Sequence, residues 1–202
     1  MNGRRAHGVT PRGQGVRKQG VSGADELWFV TNDQDSHLPQ RSGSFQAMVR
    51  AGNSVTAYLR TGKGEPVILL RRAHHADALW GLILSEVSHS FRAIVPEHAP
   101  TGEEFATWFR SFLDGLGLTA ISVVADAHFA IRCAQSGLLD AEWLTVLVVV
   151  SSIAERDVVA EALRTPAGET VNAAIVVDDA ESPHAVATTA VNHLKSLRAS
   201  LG

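Results

Sequence analysis

A single cysteine, Cys133, stands in 202 residues. That excludes an internal disulfide framework and makes a reducing compartment the default. No apolar run approaches the roughly 18 residues that a bilayer span requires; the longest, Leu144 to Val150, has the length of a strand. The N-terminus lacks the apolar core of a secretory signal. No basic stripe runs through the body of the chain, so neither a membrane nor a nucleic-acid partner is expected. Internal repeats are absent. No two ligand-type side chains show a metal-site spacing such as H-x-x-x-H, and no cofactor or metal is expected. A cytoplasmic protein with one folded domain is the starting expectation.

Apolar residues make up 45% and charged residues 19%, the balance of a chain that buries a core. The net charge of −3 hides an asymmetry. Residues 1–22 carry Arg4, Arg5, Arg12, Arg17 and Lys18 with no acid, together with five glycines, and read as a flexible basic tail. Residues 23–44 read as a polar linker containing Trp28, and residues 45–202 as the folded domain, with a charge of −8 beyond the tail.

From residue 45 the patterning alternates between strand and helix. Phe45–Arg50 and Ser54–Arg60 flank Ala51-Gly52-Asn53, a hairpin signal. Val67–Leu70, Phe91–Val95, Ala120–Val124, Thr145–Val150 and Ala173–Val177 read as strands buried on both faces. Between them fall helices. The first is capped by Asp77, with Leu79, Leu82, Ile83 and Val87 on one face. The next is opened by the capping-box spacing Thr101…Glu104, with Phe105, Phe109, Phe112 and Leu113 inward and Gly115 and Gly117 at its close. Others follow over about His128–Gln135 and Glu155–Arg164, and a last one opens with Ser182-Pro183. A hairpin followed by strict alternation predicts an α/β three-layer sandwich around a mostly parallel, doubly wound sheet.

Several strings in this order resemble the α/β-hydrolase fold family. They are FQAMVRAGNSVTAYLRTGKGEPVILL (45–70), LLRRAHHADALW (69–80), FRAIVPEHAPTG (91–102), ISVVADAHFA (121–130) and ESPHAVATTAVNHLKSL (181–197). The resemblance implies a reduced version of that fold without its lid. One alignment leaves the family's sixth strand missing. Another makes Thr145–Val150 the sixth and Ala173–Val177 the seventh, leaving the eighth missing.

The family's chemistry is not matched. Where G-x-S-x-G would present a serine on a strained strand-to-helix turn, the chain reads Ala125-Asp126-Ala127-His128-Phe129. Ala127 has no nucleophile, and Phe129 in place of the second glycine is expected to relax the turn. The family's His-Gly is Arg71-Arg72, and neither the acid nor the histidine of the triad has a counterpart. Catalysis by Ser–His–acid needs a base within hydrogen-bond reach of the nucleophile. The expectation is therefore a degenerate, non-hydrolytic member, a pseudoenzyme, acting in ligand binding or in assembly. Its partners would be a small molecule in the former pocket, a second copy, or an active relative.

The resemblance also brings polar residues to the carboxyl edge of the sheet, where open α/β sheets bind ligands. They are Arg71, Arg72, His74 and His75 after the third strand, Glu97 and His98 after the fourth, and Asp126 and His128 after the fifth. Arg71, Arg72, His74 and His75 are the ligand-binding candidates, with pairing of the arginines to Glu97 or Asp126 as the simpler reading. A rival reading is a lyase, isomerase or cyclase using His98, His128, Asp126 and Glu97 as acid and base. A hydrolase with a relocated nucleophile is the third. Cys133 reads as a buried, inert thiol.

Overall fold

The computed structural model describes residues 44–72, 77–140, 142–164, 172–178 and 182–201. The basic tail, nearly all of the linker with Trp28, and His74 and His75 lie outside the described residues, and so does the side chain of Asp77.

Among the described residues seven strands form one sheet: β1 (Phe45–Ala51), β2 (Ser54–Thr61), β3 (Pro66–Leu70), β4 (Arg92–Pro96), β5 (Ile121–Asp126), β6 (Leu144–Ser152) and β7 (Asn172–Asp178). Five α-helices among the described residues connect or follow them: α1 (Asp77–Ser90), α2 (Phe105–Gly115), α3 (Ala127–Gln135), α4 (Ile153–Ala162) and α5 (Pro183–Ala199). The strand order is β1-β2-β4-β3-β5-β6-β7. Both pairings of β2 are antiparallel, and every pairing from β4 through β3 to β7 is parallel. This is the mostly parallel three-layer sandwich that the patterning predicts, in the strand order of the α/β-hydrolase fold. β6 lies beside β5 and β7 beside β6, an order that both alignments share. Among the described residues no strand fills an eighth place beyond β7.

Period-two alternation sorts the strand side chains into two cores. One lies under α2, α3 and α4, where Phe105, Phe109, Phe112 and Phe129 are fully buried over Ile68, Val123 and Leu147. Trp108 closes that side, its indole N–H donating to the buried Thr56 hydroxyl at 2.9 Å. The other lies under α1 and α5, where Trp80, Ile83, Val87, Val191 and Leu194 cover Val67, Val124 and Val148. β1 and β2 meet α2 on the first face.

Two glycines are required by backbone geometry. Gly52 (φ +63°) turns the β1–β2 hairpin, a left-handed conformation that glycine adopts without penalty. Gly62 (φ +77°) presses against the carbonyl oxygens of Ser88 and Phe91, where a Cβ has no room.

Two expectations about helix starts are settled by side-chain geometry. Ser182 caps α5 as predicted, its hydroxyl accepting from the Ala185 N–H at 3.3 Å with Pro183 in the first turn. The predicted capping box at Thr101 does not form. α2 starts at Phe105 behind Glu104, which makes no side-chain cap, because residues 103–104 already turn and the Phe105 N–H bonds to the Gly102 carbonyl. No helix among the described residues is long and apolar enough to cross a membrane.

Candidate functional site

The carboxyl end of β5 runs into α3 with no intervening loop, and Asp126 is the joint. Its backbone stays extended (φ −71°, ψ 166°), and its Oδ1 accepts the Phe129 N–H at 3.0 Å, so aspartate caps α3 in the ordinary way. The next residue, Ala127, is the first of the helix and is 1% exposed. Phe129 does not flare outward; it is buried against Phe105, with ring centroids 5.4 Å apart. A tightly capped, apolar joint thus stands where the resemblance places a nucleophile.

The second carboxylate oxygen of Asp126 faces the end of β3. It accepts the Arg72 backbone N–H at 2.9 Å and the Arg72 Nε–H at 3.2 Å. Asp126 is 2% exposed, and all the hydrogen bonds just named end on its two oxygens. The pairing of an arginine with Asp126, the simpler reading of the sequence, is realised by Arg72. In hydrolases with a nucleophile elbow, a backbone N–H of the loop after β3 helps to form the oxyanion hole. Here the Arg72 N–H is held by a carboxylate.

Arg72 also extends its Nη2 to Glu155 Oε1 at 3.4 Å. Glu155 lies in the first turn of α4 and reaches back to Ser152, accepting from its backbone N–H at 3.3 Å and its hydroxyl at 2.8 Å. Arg72 therefore ties β3 to the helix joints after β5 and β6. Sequence reasoning omitted Glu155, although Ser152…Glu155 has the capping-box spacing that would have found it.

Of the six imidazole and carboxylate groups, His74 and His75 lie outside the described residues, and the other four form no hydrogen bond with one another. Glu97 is exposed and accepts from the Gln46 side chain of β1 at 3.2 Å, because the antiparallel pairing of β2 with β4 turns it toward the hairpin. His98 is exposed beside it. His128 packs edge-on to Phe129, and its Nε2 is buried without a hydrogen-bond partner among the described residues. The Ser151 hydroxyl, at the end of β6, is likewise buried and unpartnered. No set of three or more His, Cys, Asp or Glu among the described residues is placed to hold a metal ion. Cys133 is fully buried on α3, and desolvation pushes its thiol from the ordinary 9.0 to about 12, so at neutral pH it carries no thiolate to act as nucleophile.

Beside Arg71 the second sheet face opens into a groove of about 290 Å³ between α1 and strands β2, β3 and β4. Leu59, Leu69, Val95, Trp80 and Leu84 form its walls, and Arg71 stands at one end.

No protein-family model matches the chain, and no curated protein does. Among solved structures it is similar to a carboxylesterase from Bacillus subtilis, at 19% identity and a TM-score of 0.47 over 56% of this chain and 44% of that one. It is also similar to an epoxide hydrolase from Vigna radiata, at 18% identity and a TM-score of 0.48 over 55% of this chain and 39% of that one. The chain spans less than half the length of these structures.

Proposed function

We propose that this protein binds a small apolar ligand without hydrolysing it. One observation carries the reading. The strand-to-helix joint that would present a nucleophile is a buried alanine, and the aspartate before it is engaged as a helix cap and a counter-ion to Arg72. A serine hydrolase needs a hydroxyl, a base and two open amide donors at this point. What stands here is a tie between three segments of chain. The groove beside Arg71 supplies the binding function: apolar walls with one charged group at the end are the usual make-up of a small-molecule site. Assembly with a second copy or a relative is the other role consistent with a non-hydrolytic scaffold.

The buried, unpartnered His128 Nε2 and Ser151 hydroxyl favour a second reading, acid–base or relocated-nucleophile chemistry. A fluorophosphonate followed by intact-protein mass spectrometry separates the two. No adduct is expected, and a stoichiometric adduct on any serine, Ser151 included, would overturn the proposal. The groove is tested with anilinonaphthalene sulfonate, whose fluorescence rises in apolar sites. Leu84→Lys is expected to abolish saturable dye binding, and unchanged binding by that variant removes the groove from the reading.

A further inference from the structure

A second recess, of about 170 Å³, lies under the first helical layer at the other end of the sheet. Arg92 is the first residue of β4, whereas the Arg72–Asp126 tie joins the last residue of β5 to the chain just after β3. The recess is therefore separate from the groove and the tie. Its polar lining is Tyr58, Arg60 and Arg92, and its apolar walls include Val49, Ile94 and Leu116.

The register explains why two cations share it. β2 pairs antiparallel with β4, with Arg60 opposite Ile94 and Thr61 opposite Ala93. Arg60 and Arg92 are thus diagonal neighbours on one face, and Tyr58 is two residues along β2 on the same face. Like charges at this spacing repel, and no Asp or Glu lines the recess. The ion pairs among the described residues involve Arg72, Arg156, Arg164 and Arg198, and neither of these two arginines. Moreover, Arg92 Nε is buried with no acceptor within reach. A buried guanidinium N–H without a partner is an uncommon and costly feature, which calls for a group that the protein itself does not supply.

We infer that this recess binds a small organic oxyanion, a carboxylate or phosphate group on a short apolar body. The anion would accept from Arg92 Nε–H and from the Arg60 fork, since planar guanidinium groups match the geometry of both oxyanions. The Tyr58 hydroxyl is placed to donate as well. Burial raises its phenol above the ordinary value against the opposing pull of Arg60 and Arg92, which keeps its proton in place at neutral pH. Val49, Ile94 and Leu116 would hold the apolar body, in a recess of about 170 Å³.

The test is a titration of the full chain by ¹H–¹⁵N correlation spectroscopy with benzoate, phenyl phosphate, inorganic phosphate and sodium chloride, at constant ionic strength. Saturable shifts confined to residues around Arg60, Arg92 and Leu116, complete by about 10 mM, are expected for benzoate or phenyl phosphate. Whichever of the two binds more tightly identifies the head group. Arg60→Gln, on an exposed side chain, is expected to weaken binding at least about tenfold. Arg92→Lys, which keeps the charge and loses the fork, is expected to weaken it measurably while the rest of the spectrum stays folded. Shifts that chloride reproduces, that do not saturate, or that survive Arg60→Gln unchanged would overturn the inference. So would saturable binding of inorganic phosphate alone, which would show that the apolar walls take no part.

Discussion

Replacing Asp126 tests whether the end of β5 is a structural tie. Asp126→Asn keeps an oxygen for the Phe129 N–H, and asparagine caps helices as well as aspartate does. It also turns an amide nitrogen toward the backbone N–H and Nε–H of Arg72, so two donors meet a donor. Hydrogen bonds to charged groups contribute about 1.5–3 kcal/mol when buried. Arg72 is 39% exposed, so water recovers part of this loss. The expected cost of Asp126→Asn is therefore about 1.5–2.5 kcal/mol. Asp126→Ala adds the loss of the cap, about 1 kcal/mol, for a total of about 2.5–3.5 kcal/mol. Urea unfolding followed by far-UV circular dichroism measures both as a lowered midpoint at unchanged slope. A cycle with Arg72→Ala is expected to give a coupling of about 1 kcal/mol. If Asp126→Asn lies within about 0.5 kcal/mol of the parent, or the coupling is nil, the carboxylate is not holding β3 to α3 and the reasoning fails.

Two further predictions rest on the buried thiol and on the glycines. Cys133 keeps its proton in the folded state to about pH 12, whereas an unfolded thiol releases it near 9.0. Above that lower value the unfolded chain binds fewer protons, so its contribution to stability falls by about 1.4 kcal/mol per pH unit and is nil below it. Urea midpoints compared between pH 8 and pH 10.5 are expected to fall more steeply for the parent than for Cys133→Ala; equal slopes would contradict the burial. Gly62→Ala is expected to cost at least about 3 kcal/mol, combining left-handed backbone with overlap on two carbonyl oxygens. Gly117→Ala, at a similar φ of +64° but with open space around it, is expected to cost only about 1 kcal/mol. Thermal unfolding of the two variants tests the order, and equal costs would show that β2–β3 loop contacts with α1 are unimportant.

Much of the fold was legible. The aromatic spacing from Phe105 to Leu113, the buried strands and the Ser182-Pro183 start are signals carried by neighbouring residues, and each appears within a residue or two of its predicted place. Thr101…Glu104 misled because a capping-box spacing acts only where its head directly precedes the helix, and here a turn at residues 103–104 comes first and α2 begins at Phe105. Ser152…Glu155 carries the same spacing and does act, since Ser152 is extended (φ −70°, ψ 162°). At the candidate site, sequence reading offered Glu97 or Asp126 as partners of Arg71 and Arg72; the structure pairs Arg72 with Asp126 and with Glu155, which was not named as a site residue, and sets Glu97 against Gln46. Spacing along one strand does not reveal which neighbouring strand a side chain turns toward.

The sequence by itself determined the succession of elements, the absence of a nucleophile at residue 127 and the division of each strand into two faces. These depend on backbone periodicity and residue identity, which act over a few positions. Tertiary structure alone decided that Arg72 meets a carboxylate 54 residues away and another 83 away, that Arg60 and Arg92 crowd together without an acid, and that a groove stays open beside α1. Those outcomes depend on strand order and register, which are selected when distant segments bury apolar surface against one another.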